Sequence, residues 1–501
     1  MTTTERSRSV WTPLPNRHEP LRESVSTEVC VVGAGIAGLS TAYALARRGR
    51  QVVLLEKAMI GAGETGQTTA HLSSALDEGF PRLVRIHGKE RARAGHRSHA
   101  AAIDQIERWV REEEIGCDFH RLDGYLVRAE NASPEDMREE ARAARTAGAE
   151  VELIKTAPVA SFSGPSVCYR GQGRFHPLAY LAGLEEAFLR RGGRIHTGTA
   201  VEEVSGGSPV ELGVTGGHTV SASRAVITTN SPISSWIAIH SKQAPYRTFA
   251  IALDPGRSDF PDILLWDTAE PYHYVRRARD GGRSYIIVGG ADHKTGQADD
   301  GQERFEALER WSGEHIPGVG EVVHRWSGQV WEPMDGLGHI GADPENENVF
   351  LSTGDSGHGM THGTLAGMIL PALVDGEDHE WREIYDPSRF RGRAAGTYAQ
   401  ENLNVARQYA DWVSSGDVSE TGELRPGEGG IVVRNGKRVA AYRDEEGTLH
   451  LRTATCRHLG CVVHWNGTER SWDCPCHGSR FAPTGEVLTG PARQDLEPVE
   501  D

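Results

Sequence analysis

"TEVCVVGAGIAGLSTAYALARRGRQVVLLEK", residues 27–57, reads as a strand, a glycine turn, a helix and a second strand. Val29, Val31 and Val32 form a short β-branched run. Residues 39–48 are rich in alanine and leucine at helical spacing, and Gly49 stands where a helix-ending glycine belongs. Residues 52–55 form a second buried strand that ends at Glu56. The turn is Gly33-x-Gly35-x-x-Gly38, a weak signal alone and a specific one between a strand and a helix. Gly33 permits the tight turn, Gly35 lets backbone approach a pyrophosphate, and Gly38 lets helix and strand touch. The pyrophosphate would sit on the helix N-terminus, and Glu56 would take the ribose hydroxyls. This unit predicts an α/β dinucleotide-binding body.

Outward from it, 501 residues leave room for two to four domains. The net charge of -16 argues against nucleic acid and anionic membranes as partners. No apolar run approaches bilayer length, and the arginine-bearing start lacks the apolar core of a secretory signal, so a cytoplasmic protein is expected. Residues 1–24 read as a polar lead-in, residues 81–114 as helical, and residues 246–330 as strands. Residues 348–370 return to strand, glycine loop and helix. Residues 391–422 read as a connector with one helix near 401–413. From 423 to 501, short strands and the pairs Asn435-Gly436 and Asn466-Gly467 predict a small all-β domain.

That last domain holds "CRHLGCVVHWNGTERSWDCPCHGSRF", residues 456–481, with four of the seven cysteines. Cys30, Cys117 and Cys168 are scattered and read as ordinary buried thiols, so this is no disulfide scaffold. Cys456-x-His458 precedes Cys474-x-x-His477 by fifteen residues. Two thiolates and two imidazoles suit zinc or a Rieske [2Fe–2S] centre. The single residue between Cys456 and His458 is tighter than usual zinc spacing and favours the second. The segment resembles Rieske proteins, with "CRHLGC" and "CPCHGS" matching both cluster loops. The resemblance implies that Cys456 and Cys474 bind one iron, His458 and His477 the other, and that Cys461 and Cys476 form a disulfide. Ser479 matches a serine that donates to the cluster, but Phe481 replaces the tyrosine of high-potential members. A potential below the top of the range of about −150 to +300 mV is expected.

Residues 25–390 resemble the D-amino-acid oxidase/glycine oxidase class of FAD-dependent oxidoreductases. The resemblance rests on the opening unit, "GAGETGQTTAHLSS", "GRFHPLAYLAGLEEA" and "FLSTGDSGHGMTHGTLAG". It implies an FAD-binding Rossmann-like α/β domain (about 25–80, 150–235 and 335–375) and a mixed-sheet α+β substrate domain (about 81–149 and 240–334). Gly33, Gly35, Gly38 and Glu56 would hold one end of the FAD, and Thr65, Thr68, Thr69 and His71 its diphosphate and flavin. Gly354, Asp355, Gly359, Met360 and Thr361 would cover the pyrimidine end. Some relatives link FAD covalently through a histidine in the region of His71.

A flavin accepts two electrons and releases them singly, and a Rieske cluster carries one. "YIIVGGADHKTG" has a strand and glycines but no helix behind it, so no second dinucleotide unit for NAD(P)H is expected. The implied activity is oxidation of a C–H bond next to nitrogen in an amine-type small molecule, with electrons leaving through the cluster to a one-electron carrier such as a ferredoxin. Many members of the class hold a substrate carboxylate with an arginine just before a proline. Here Gln329, Val330, Trp331 and Glu332 precede Pro333, which disfavours a simple α-amino acid. His273, Arg276, Lys294 and His358 are the candidate catalytic residues. Two alternatives stand: a donor-fed reductase or monooxygenase, and a non-enzymic electron-transfer or redox-sensing protein.

Overall fold

The glycine-turn unit folds as Val25–Val32, helix Ile36–Arg47 and Val52–Leu55. The computed structural model describes residues 8–129, 132–235, 237–413 and 416–499, so the ends of the expected lead-in (1–7), connector (414–415) and all-β domain (500–501) lie outside it. Five parallel strands run in the order Val349–Thr353, His218–Ile227, Val25–Val32, Val52–Leu55, Arg194–His196 within an eight-stranded sheet. Helix Gly359–Val374 lies beside Ile36–Arg47. A Cβ on Gly363 would press on Ala37, and one on Gly367 on Ser40. These matched contacts make the two helices parallel and bring both N-termini to one edge of the sheet.

The second sheet has nine strands and two unlike faces. On Gln243–Leu253, Ala250 and Ala252 join the core shared with the first sheet, while Phe249, Ile251 and Leu253 pack with helix Gly301–His315. That helix falls in a stretch read as strands. It follows Arg283–Lys294, read as having no helix behind it, but this strand is antiparallel to both neighbours and forms no dinucleotide unit. A second correction concerns residues 150–175. Val151–Ile154 pairs with Ser166–Arg174, which in turn pairs with His120–Val127, so both belong to the second sheet and not to the parallel sheet of the glycine-turn unit. A buried apolar run shows that a strand is buried, not which sheet it joins.

Residues 8–24 of the polar lead-in are fastened to the body. Trp11 is buried, its Nε1–H donating to Thr68 O (2.7 Å), and Ser9 Oγ donates to Gly66 O (2.6 Å). Burying one indole removes about 150–250 Å² from water, enough to fasten an otherwise polar segment. The C-terminal domain has one three-stranded and one four-stranded sheet. Asn435 and Gly436 both have positive φ (49° and 74°), as the tight hairpin between Gly429–Arg434 and Lys437–Arg443 requires. The connector contains helix Ala395–Gln408 and a 3-10 turn, Tyr409–Val413. Tyr409 Oη and Trp412 Nε1 donate to Leu459 O (2.7 Å) and Gly460 O (3.1 Å), so it straps the cluster-binding loop. Among the described residues, no helix is long and apolar enough to cross a membrane.

Candidate redox centres and substrate face

Gly33 adopts φ +101°, and a Cβ on Gly38 would overlap the Gly33 carbonyl. Strand and helix therefore meet at backbone contact. Gly35 caps the helix with no side chain, Thr65 Oγ1 accepts Ile36 N–H (3.1 Å), and Glu56 accepts the N–H groups of Ala34 and Ala58 (both 2.8 Å). Thr68 Oγ1 accepts Ala70 N–H (2.9 Å), and Thr69 Oγ1 meets His71 Nδ1 (3.2 Å). Gln67 Oε1, His71 Nε2 and Asp355 Oδ1 are buried with no partner among the described residues. A bare glycine cradle, two adjacent helix N-termini and unsatisfied buried polar atoms fit a bound FAD. Gly354, Asp355, Gly359, Met360 and Thr361 lie at the start of the second helix and could close over its other end. In this loop His358 faces Asp77 (Nε2–Oδ1 3.1 Å). Burial disfavours its charging, but Asp77 and Asp355 outweigh burial and raise its pKa above the ordinary imidazole value.

The two ligand loops of the C-terminal domain close in the same way. Cys456 N–H donates to Cys461 O (2.8 Å) and Gly460 N–H to Cys456 O (3.1 Å). Cys474 N–H donates to Ser479 O (2.8 Å) and Gly478 N–H to Cys474 O (3.1 Å). Gly460 and Gly478 both have positive φ (79° and 67°), which is why glycine sits at each. Cys461 and Cys476 are disulfide-bonded, with Cα atoms 6.5 Å apart. Cys456 and Cys474 are left as free buried thiols beside each other, with the Ser479 hydroxyl at Cys456. The His458 and His477 rings meet edge to face at 5.0 Å. Two thiols backed by two imidazoles fit a [2Fe–2S] cluster held by those four residues.

The histidine side of this set is turned inward, against the second sheet. His458 and His477 are only 6% and 8% exposed. Gln329 Nε2 donates to Gly478 O (2.9 Å), and Gly467 N–H donates to Asp299 Oδ1 (2.9 Å). Arg247 pairs with Glu469 across the seam (3.2 Å), both side chains buried and bridged by Ser327. His240 lies 5.3 Å from the His458 ring and 6.3 Å from Trp331, whose carbonyl accepts Ser356 N–H (2.9 Å) from the flavin loop.

The chain matches the FAD dependent oxidoreductase family over residues 28–373 and the Rieske [2Fe-2S] domain over 414–500. The chain is an FAD dependent oxidoreductase with a Rieske [2Fe-2S] domain. It is 32% identical over 483 residues to the Bacillus subtilis Rieske 2Fe-2S iron-sulfur protein YhfW, covering 96% of this chain and 94% of that one. It is 25% identical to the gamma-glutamylputrescine oxidoreductase of Escherichia coli, over 75% of this chain and 90% of the relative. Glycine oxidase from Geobacillus kaustophilus shares the fold over 73% of this chain and 100% of its own, at TM-score 0.60 and 19% identity.

In this oxidoreductase the body-facing side of the second sheet is acidic and aromatic. Ala244 pairs with Glu332, and Tyr246 with Val330. Tyr272 Oη donates to Asp77 Oδ2 (3.3 Å), Tyr274 Oη meets Thr248 Oγ1 (3.0 Å), and the Tyr274 ring lies 5.3 Å from His71. Burial, with Asp77 and Glu270 adding repulsion, pushes Asp292 up to about 7. Burial and repulsion from Asp292, Asp77 and Glu270 push Glu332 up to about 8.

Of the candidate catalytic residues, His358 lies in the flavin loop and Arg276 on the body-facing side, buried under Trp11 (5.4 Å) near His71. The structure gives His273 and Lys294 other partners. His273 points the other way, bonding Asp267 (2.9 Å) and stacking on Trp311 (4.5 Å), because successive strand residues alternate faces. Lys294 pairs with Glu401 of the strap helix, beside the cluster domain. Asp77, Asp292, His240, Trp331 and the Arg247–Glu469 pair were not singled out from sequence. Trp331 and Glu332 left one shared signal, as two of the four residues standing where an arginine was expected.

Proposed function

We propose that the protein is an amine dehydrogenase: it oxidises a C–H bond next to nitrogen in a positively charged amine-type small molecule and passes the electrons singly to an external one-electron carrier protein such as a ferredoxin. The observation that carries this reading is the seam. With both cluster histidines buried against the flavin-binding body, the natural neighbour of the cluster is the flavin of the same chain. Bound FAD supplies hydride acceptance, and the cluster supplies one-electron release.

The chain's own residues supply recognition. Glu332, Asp292 and Asp77 give the substrate face negative charge once ionised, and Tyr272 and Tyr274 give it aromatic surface. Such a face attracts an ammonium group and repels a free carboxylate. Asp77 and Asp355 favour the charged form of His358, which would put positive charge beside a reduced, anionic ring. Relatives named for gamma-glutamylputrescine and for glycine support a nitrogen compound as substrate.

Anaerobic mixing with N-methylated amines, cyclic amines and diamines tests the proposal. The expected result is flavin bleaching followed by the Rieske EPR signal. Bleaching without cluster reduction contradicts the wiring, and cluster reduction by NADPH alone reverses its direction.

A further inference from the structure

Two buried rings fill the space between the flavin loop and the cluster-binding loop. Trp331 is fully buried and His240 is 2% exposed. The loop that closes over the flavin site is joined to Trp331 by the Ser356 N–H bond to its carbonyl (2.9 Å). The Trp331 ring lies 6.3 Å from His240, His240 lies 5.3 Å from His458, and His458 lies 5.0 Å from His477. His240 is fixed by Nε2, which lies 3.1 Å from Pro232 O and 3.2 Å from Ser235 O. Two carbonyl acceptors require that nitrogen to carry the proton, leaving Nδ1 as the lone-pair atom. His240 Nδ1 and Trp331 Nε1 are both buried without a partner among the described residues. Leaving two such atoms unsatisfied in a core costs stability that an apolar pair would not. A purely structural seam would favour leucine or phenylalanine at both places.

We infer that Trp331 and His240 are positioning residues for internal electron transfer, forming a continuous aromatic bridge from the flavin loop to the cluster ligand His458. The inference rests on the proposed wiring between flavin and cluster. Electron transfer weakens steeply across gaps, and packed conjugated rings keep each gap short. Each passage takes one electron from reduced FAD and gives it to the oxidised cluster. No bond forms or breaks, and the Nε2 proton of His240 stays between its two carbonyls. Two passages complete one two-electron oxidation, with an external one-electron carrier reoxidising the cluster after each.

The test uses holoenzyme with its bound FAD reduced by a light flash, EDTA serving as electron donor, and the cluster followed by rapid-freeze EPR. No amine is present, so the result does not depend on the substrate. Trp331→Leu and His240→Leu are expected to slow the appearance of reduced cluster at least tenfold. Trp331→Phe, which keeps a ring, should recover most of the wild-type rate. The cluster's EPR g values and midpoint potential should be unchanged in Trp331→Leu, which a general loosening of the domain would alter. His240→Gln, which keeps a polar group of similar length, should be as slow as His240→Leu if the ring matters, and it guards against misfolding of the leucine variant. Wild-type rates in both His240 variants and in Trp331→Leu overturn the bridge while leaving the wiring intact. No cluster reduction in the wild-type protein overturns the wiring, and the bridge with it.

Discussion

Gln329 and Trp331 reach toward the Rieske domain, while Val330 and Glu332, each one residue away on the same strand, belong to the face that carries the tyrosines and acids. The first face is aromatic and buried, with the charges of Arg247 and Glu469 matched against each other. The second is acidic and holds carboxyl groups near neutrality. Under the proposed function, the period-two geometry of a strand would let one segment separate substrate recognition from electron exit by the thickness of a single sheet. Substitutions on the two faces should accordingly have separable effects.

The largest effect should come from breaking the seam. Glu469→Ala leaves Arg247 buried without its carboxylate, which typically costs about 3–5 kcal/mol. Denaturant unfolding should register that loss, and the cluster should become accessible to soluble oxidants. Replacing both Arg247 and Glu469 with apolar residues should restore much of the stability.

On the other face, Glu332→Gln should weaken binding of a cationic amine by roughly tenfold at pH 9, about 1.4 kcal/mol, with little change at pH 6. The sign follows from the raised values. Asp292 and Glu332 are largely neutral at pH 6 and ionise through about 7 and about 8, so KM for the amine should fall over that window. The same groups oppose folding as pH rises, because the unfolded chain ionises them at lower pH. Glu332→Gln should therefore unfold at a higher temperature than the native protein at pH 9 and at the same temperature at pH 4.

The smallest effect concerns the cluster itself. Phe481→Tyr offers a hydroxyl where this chain has none. A net hydrogen bond of about 0.5–1.5 kcal/mol, at about 59 mV per tenfold change for one electron, should raise the midpoint potential by roughly 20–60 mV. Redox titration followed by EPR would measure it.

These contrasts follow the line between what the sequence disclosed and what it hid. The glycine turn with Glu56, and Cys456, His458, Cys474 and His477, are legible because each constellation is local, its spacing dictated by a turn or a loop tip. The joining of Cys461 to Cys476 followed from resemblance, and the structure contains that bond. His240 and Trp331 have no such signature, because their significance arises from contacts between distant segments: His240 meets Trp331, 91 positions on, and His458, 218 positions on. The side His273 faces was hidden because residue type says nothing of strand phase, and the pairing of Lys294 because its partner Glu401 lies in a segment read as a connector. The expected boundary between FAD-binding and substrate parts failed at 150–175 because both sheets accept the same buried apolar pattern.

The central claim is that flavin and cluster exchange electrons within one chain, across a sealed seam. Flash reduction of the FAD in native holoenzyme, repeated over a wide range of protein concentrations, tests it directly. Cluster reduction should follow with a single first-order rate that does not change on dilution. A rate proportional to protein concentration, or a reduced flavin beside a cluster that stays oxidised, would contradict the account.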